Sequence, residues 1–313
     1  MPRSFSLRAV SSVAVGIVLS GAAAAVAQDP ASTAVREGVA RRVYISVTDD
    51  KGAAPQDVTP QEVTIKEDGA ERAVLQVGPA TETMQIVMLV DDSGAGIQHI
   101  REGVAGFLRI VQRTAEIAIV STAAQNTVLV DFTSDPGALM NGVNRLSTRS
   151  TSGGYLLDAI QESAHTLVRR QAARPVIVVL ALEGKEFSNV PAARVREAVR
   201  QSGAMVHVLT VGKPSLETMT GLNQRPTESF HQSLDETLAR HTVLGEAPRR
   251  SGGRVEQLGQ ASGIPKRLAE IAYELRDQLA VTYARPASAK PAERLDVAVK
   301  RRGLKVRAPK YAS

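Results

Sequence analysis

The residues best suited to chemistry gather where an apolar run stops. Met84-Gln85-Ile86-Val87-Met88-Leu89-Val90 gives way to Asp91-Asp92-Ser93-Gly94-Ala95-Gly96. Two carboxylates and a hydroxyl at this spacing can cap a following helix, since Asp and Ser are preferred N-cap residues. They can equally line a ligand site, because open α/β sheets place such sites at the carboxyl ends of their strands. The glycines admit a dinucleotide reading, but His99 stands where the third glycine belongs. That reading also needs an acid at the end of the second strand to hold a ribose, and Ser121-Thr122 occupy that place. The five histidines (His99, His165, His207, His231, His241) are scattered, with no His-Glu-x-x-His pair, and there is no Gly-x-Ser-x-Gly elbow. Gly212-Lys213 lacks the upstream glycine of a phosphate loop. The residues therefore predict a chain that is not an enzyme.

Composition narrows the field. At 313 residues and 43% hydrophobic, the chain can hold one medium α/β domain and a smaller one. Aromatic residues make up only 3% and Trp is absent, so the core must be Val, Leu, Ile and Ala. Without cysteine there are no disulfides, thiol nucleophiles or thiolate metal sites. The net charge of +6 is a mild excess that requires no nucleic acid. Lys300, Arg301, Arg302, Lys305 and Arg307 read as the wet face of a strand, since no aromatics are interleaved with them.

At the N-terminus, Arg3 and Arg8 precede an apolar run that ends in Ala25-Val26-Ala27, a small-x-small cleavage pattern. Residues 1–27 are expected to be a signal peptide and the mature chain to be exported, periplasmic or secreted, with no membrane contact after cleavage. An uncleaved membrane anchor is the alternative. No later segment has eighteen consecutive apolar residues.

The elements that must position the loop follow from periodicity. Residues 28–80 hold three short β-branched strands around Val43–Thr48, Val63–Ile65 and Val74–Val77, with a turn at Gly69. Residues 81–285 alternate strand and helix, which predicts a doubly wound, mostly parallel sheet with helices on both faces. Its strands are expected at Gln85–Val90, Glu116–Thr122, Thr127–Phe132, Val176–Leu182, Val206–Val211 and Leu279–Tyr283. Helical apolar spacing marks Ile97–Gln112, Leu156–Val168, Val195–Val199 and Ile264–Leu275. The stretch 213–253 is the least legible, with a helix expected near Leu234–Leu244. Residues 286–313 read as a β hairpin, alternating over Arg294–Lys300 and Leu304–Arg307, that packs on the N-terminal strands.

Together these features resemble von Willebrand factor A domains, whose first loop reads Asp-x-Ser-x-Ser after a hydrophobic strand. The flanks Asp57–Gly69, Ser251-Gly252-Gly253-Arg254, Ile271–Arg276 and Val299–Arg307 are similar to an exported bacterial "VWFA-related" group of that family. The resemblance implies a Rossmann-like A domain carrying a divalent cation, such as Mg²⁺, on three loops whose carboxylates and hydroxyls suit a hard ion. Asp91 and Ser93 match the first loop, but Ala95 replaces its second hydroxyl. Gly154 stands where the second loop presents a Thr before Leu156-Leu157-Asp158-Ala159-Ile160, and Thr151 and Ser152 are displaced. Glu183-Gly184 stands for the third loop's Asp-Gly. The implied metal residues are Asp91, Ser93 and Glu183, a degenerate site with no cofactor expected beyond weak Mg²⁺. Without an ion, Asp91 and Ser93 cap a helix, Asp158 orients one, and Glu183 is a solvated loop carboxylate.

The resemblance predicts an adhesion-type module that binds a protein partner through Asp91, Asp92, Ser93, Tyr155 and Glu183. The alternative is a structural component of an envelope assembly, held through the basic edge of the C-terminal strands.

Overall fold

The computed structural model describes residues 38–55, 57–94, 96–148, 153–212, 228–290 and 292–311. The leader, the residues up to 37, Ala95, Thr151 and Ser152 lie outside them. The chain opens with β1 (Gly38–Thr48), β2 (Val63–Glu67), β3 (Ala70–Arg72) and β4 (Val74–Pro79). Alternation of strand and helix follows: β5 (Met84–Val90), α1 (Ile97–Val111), β6 (Ala115–Ser121), β7 (Thr127–Thr133), α2 (Pro136–Arg145) and the two-residue β8 (Gly153–Gly154). Next come α3 (Leu156–Arg169), β9 (Arg174–Leu182), β10 (Lys185–Glu186), α4 (Ala192–Ser202), β11 (Met205–Val211), α5 (Glu228–Ser251), β12 (Val255–Leu258) and α6 (Ile264–Arg276). The chain closes with β13 (Leu279–Pro286), β14 (Leu295–Val299) and β15 (Lys305–Arg307).

The central sheet has six strands in the order β12-β11-β9-β5-β6-β7. All its pairings are parallel except β6 with β7. In β5, Met84, Ile86, Met88 and Val90 face a core shared with α1 and α6, while Val87 and Leu89 face one shared with α3, α4 and α5. Burial on both faces is why this strand is one continuous apolar run. The cores are mainly aliphatic, with Phe107 of α1 buried in one and Phe132 of β7 packed against the other. Among the described residues no helix is long and apolar enough to cross a membrane.

Two expectations are corrected here. Leu279–Pro286 is not a strand of the parallel sheet. It pairs antiparallel with β1, from Ile45↔Leu279 to Gly38↔Pro286, and on its other side with β4. Leu279, Val281 and Tyr283 are buried while Ala280 and Thr282 between them are partly exposed, the alternation of an antiparallel layer wet on one side. The sixth place in the central sheet goes to β12, a half-exposed edge strand too short and polar to show as an apolar run. The C-terminal strands pack on the N-terminal ones but not as a hairpin: β14 pairs with β2, and β15 with β1. Arg301 pins the crossing between them, its Nη1 2.8 Å from Asp57 Oδ1 and its Nε 2.7 Å from Glu62 Oε1.

The resulting β unit has its own core, including Val43, Ile45, Val47, Ile65, Val281 and Leu295. Glu67 is buried within it, paired with Arg72 and accepting from the Tyr283 hydroxyl at 2.9 Å. Arg307 of β15 pairs with Glu274 of α6, which also holds Arg254 Nε at 2.5 Å. Beside this network His207 is fully buried, its Nδ1 accepting from the Arg254 backbone N–H at 3.3 Å. Glu274 favours the charged imidazole, but burial, Arg307 and Arg254 push its pKa down to about 4.

Candidate functional site

The apolar run of β5 delivers its acids to the carboxyl end of the central sheet, as the sequence predicts. Asp91 is half-buried and ties two loops: Oδ1 accepts from the Ser93 N–H at 3.0 Å and Oδ2 from the Leu182 N–H at 3.2 Å. Gly94 lies against Leu182, where a Cβ would stand 2.7 Å from Cδ1. Gly96 opens α1 with φ of 99°, a left-handed conformation that favours glycine. Neither Asp91 nor Ser93 is the N-cap of α1, because the cap position is Gly96 itself.

Asp92 points the other way. It is 0% exposed, accepts from the Ser121 hydroxyl at 2.6 Å through Oδ1, and accepts from the Ser147 N–H at 3.3 Å through Oδ2. A carboxylate buried among these donors ties β6 to the loop after α2 and cannot reach a partner, so its place among the binding residues is corrected.

The second loop is closed by backbone. Gly153 and Gly154 pair in parallel with Lys185 and Glu186, and Gly154 also bridges Ala123. A Cβ on Gly154 would stand 2.4 Å from the Thr122 carbonyl oxygen, and one on Gly153 would stand 2.2 Å from the Lys185 carbonyl oxygen. These approaches require glycine, and the place where the related loops carry a Thr side chain is filled by main chain. Just beyond, Tyr155 and Phe187 hold their rings 6.0 Å apart, neither one buried. Asn126 fixes Tyr155 by donating to its carbonyl at 3.0 Å.

Glu183, partly exposed, lies toward β11, on the far side of β9 from β5. A Cβ on Gly212 would meet its Cγ at 2.6 Å, and it lines a 150 Å³ hollow with Arg240 and His241. The carboxylate that enters the rim is Glu186, unnoticed in the sequence. It is 2% exposed, and its Oε1 accepts from the Leu157 N–H of α3 and from the Ser188 N–H. Burial pushes its pKa up against the opposing pull of Ser188 and Arg240. Asp158 is similarly raised by burial, opposed by the Ser188 hydroxyl. Arg240 of α5 is 7% exposed and donates to the Leu182 carbonyl at 2.5 Å and the Gly184 carbonyl at 2.6 Å. Its one sequence signal is position, since it shares a helix face with Val243, Leu244 and Ala247.

Of the residues that the resemblance implies for a divalent ion, Asp91 and Ser93 stand side by side, Gly154 brings no oxygen-bearing side chain, and Glu183 packs beside Gly212. What the rim offers is a partly exposed surface of Asp91, Ser93, Tyr155 and Phe187, with the segments before Tyr155 and Phe187 joined by β bridges.

A family model described as "von Willebrand factor type A domain" matches residues 85–243, just over half of the chain. No curated protein matches the chain. Among solved structures, the chain is similar to a von Willebrand factor type A protein from Catenulispora acidiphila at 12% identity and TM-score 0.47, covering 86% of this chain and 72% of that one. It is also similar to proximal thread matrix protein 1 from the mussel byssus, with a zinc-occupied MIDAS motif, at 11% identity and TM-score 0.46, covering 67% of this chain. The chain spans about half the length of that byssus protein, 49%. Manganese-loaded TRAP protein of Plasmodium vivax is similar at 12% identity and TM-score 0.43, covering 76% of this chain and 98% of that one.

Proposed function

Because the chain belongs to the von Willebrand factor type A family, we propose that it is an exported, non-enzymatic module that binds a protein partner with the loops at the carboxyl end of its central sheet. Asp91, Ser93 and Tyr155 form the contact surface, joined by Phe187, with Glu183 at its margin. The ion site is degenerate, and the partner is recognised without a tightly held metal. The observation that carries this reading is the Tyr155–Phe187 pair, two rings left partly exposed on a rim. The chain has only five Tyr and five Phe, and aromatic side chains on rigid loops are the usual anchors of protein interfaces.

The alternative, an envelope component recruiting a strand at β15, keeps an open sheet edge there. Its basic side chains are engaged within the molecule: Arg301 by Asp57 and Glu62, Lys305 by Asp50, and Arg307 by Glu274. That leaves Lys300 and Arg302, both exposed, as the charge on offer to a partner at this edge. A pull-down from the native exported fraction, comparing wild type with Asp91→Ala/Tyr155→Ala, separates the two readings. Loss of a specific partner in the double variant supports the rim, and identical recovery counts against it. N-terminal sequencing of the exported chain tests the leader, with Gln28 expected first.

A further inference from the structure

On the face of the central sheet that carries α3, α4 and α5, the helices stop short of the sheet's edge. Parallel neighbours are joined by crossovers, whose helices cover the strands they link. β6 instead turns directly into the antiparallel β7 and brings no helix with it. α3 packs on β5 and β9. The helix that packs on β6 and β7 is α2, from the opposite face, where Leu139 and Val143 share a core with Ile117, Ile119 and Leu129.

What remains is a groove of 230 Å³ between α3 and the sheet edge, lined by Val87, Val120, Val128 and Phe132 on the sheet side and by Ala159 and Thr166 on the helix side. Val128 is 60% exposed, the most exposed large apolar side chain among the described residues. No Lys or Arg lines the groove, and its charges are Asp131 and Glu162. Asp131 is exposed and accepts from the Phe132 N–H at 2.7 Å, and among the described residues no Lys or Arg pairs with it. Glu162 meets Arg169 at 2.7 Å, but both side chains are more than 60% exposed, and such a pair is weak in water. Arg170 is committed: its guanidinium lies 4.2 Å from the centre of the Phe132 ring, and it pairs with Glu116 at 2.9 Å.

We propose that this groove seats an amphipathic helix of a partner protein, with its apolar stripe on Val87, Val120 and Val128 and a lysine or arginine beside Asp131. Strands lie ~4.8 Å apart, so β6 and β7 together offer about 10 Å, the diameter of a helix. The seven residues of β7 run roughly 23 Å, the length of about 15 helical residues. The edge of β7 is less suited to pairing with a further strand. Two register shifts interrupt its ladder, and Arg145 Nη1 already holds the Leu129 carbonyl at 2.7 Å. The groove is a surface apart from Asp91, Ser93 and the Tyr155 ring, and it does not depend on the rim reading.

The test titrates the full chain into three fluorescein-labelled peptides of about 15 residues and reads anisotropy. The first places Leu at i, i+3, i+4 and i+7 with Lys on the flanks of that stripe, the second has Glu for each Lys, and the third scrambles the first. The Lys peptide is expected to bind saturably, and the other two at least about tenfold more weakly. Val128→Glu should weaken the Lys peptide at least about tenfold and Asp131→Asn about threefold, both with the melting temperature of wild type because the side chains are exposed. Asp91→Ala/Tyr155→Ala should leave the affinity unchanged, which separates this groove from the rim. No saturable binding of the Lys peptide at roughly hundreds of micromolar, equal binding of the Glu peptide, unchanged affinity in Val128→Glu, or loss of affinity in the rim variant would overturn the proposal. So would a dimer in sedimentation equilibrium that Val128→Glu dissociates, since a second copy would then be the occupant.

Discussion

Mild acid should loosen this protein through His207. The imidazole is fully buried in β11, its Nε2 has no hydrogen-bond partner, and its pKa is held down to about 4 against an ordinary 6.5. In the unfolded chain the same histidine takes up a proton near 6.5, so the unfolded state binds more protons between the two values. Stability therefore falls as pH drops below about 6.5 and levels off below about 4. A gap of about 2.5 units at 1.36 kcal/mol per unit gives a limit of about 3 kcal/mol, of which about 2 kcal/mol is lost between pH 7 and pH 5. For a chain of this size that lowers Tm by several degrees. Glu186 works the other way, because a carboxyl raised by burial takes up its proton in the folded state first. The assay is chemical denaturation at pH 7 and pH 5 for wild type and His207→Asn, whose Oδ1 can replace Nδ1 as acceptor for the Arg254 N–H and does not titrate. His207→Asn should be less stable at pH 7 yet lose about 2 kcal/mol less on acidification. Equal losses in the two proteins would refute the reasoning.

Other expectations are measurable in the same way. Gly154→Thr, which would restore the hydroxyl at that position, should destabilise the protein by about 1–3 kcal/mol and confer no ion dependence, because the new Cβ meets the Thr122 carbonyl. A melting temperature equal to wild type would contradict this. Mg²⁺ or Mn²⁺ at millimolar concentration should not measurably stabilise the unmodified chain, since a Kd near ~1 mM yields only ~1.4 kcal/mol at ~10 mM ion. A saturable rise in Tm at micromolar Mg²⁺ would show an intact site. Arg240→Leu should cost about 2–4 kcal/mol, because it strips the donors from the Leu182 and Gly184 carbonyls. A change below about 0.5 kcal/mol in urea denaturation would show those carbonyls to be hydrated instead.

The parts of the fold legible in the sequence are those where burial leaves a period. Five of the six central strands, the edge strand β7 among them, and four of the helices stand where apolar runs and helical spacing place them. The other edge was harder. β12 reads Val-Glu-Gln-Leu and shows no apolar run, and α2, capped by the Asp135 carboxylate accepting from the Ala138 N–H, was not expected. The assignment of β13 failed because a strand's sequence shows its burial pattern and not the sheet it joins. At the rim, Asp91 and Ser93 were found from type and spacing. Whether a carboxylate faces in or out was not readable, which is why Asp92 was misplaced and Glu186 missed. The reason for Gly154 lies in the approach of a carbonyl from a segment thirty residues away, and spacing along the chain carries no trace of it.

The register that sets Leu279 opposite Pro79 has a mechanical consequence. Everything from β5 to α6 leaves and re-enters the β unit between two hydrogen-bonded strands, so its two ends are clamped together. Tension applied at residues 38 and 311 is taken first as shear across β1, β13 and β15, and it reaches the central sheet only after β4 and β13 separate. Under tension applied at those two ends, the rim loops would keep their arrangement for as long as that clamp holds.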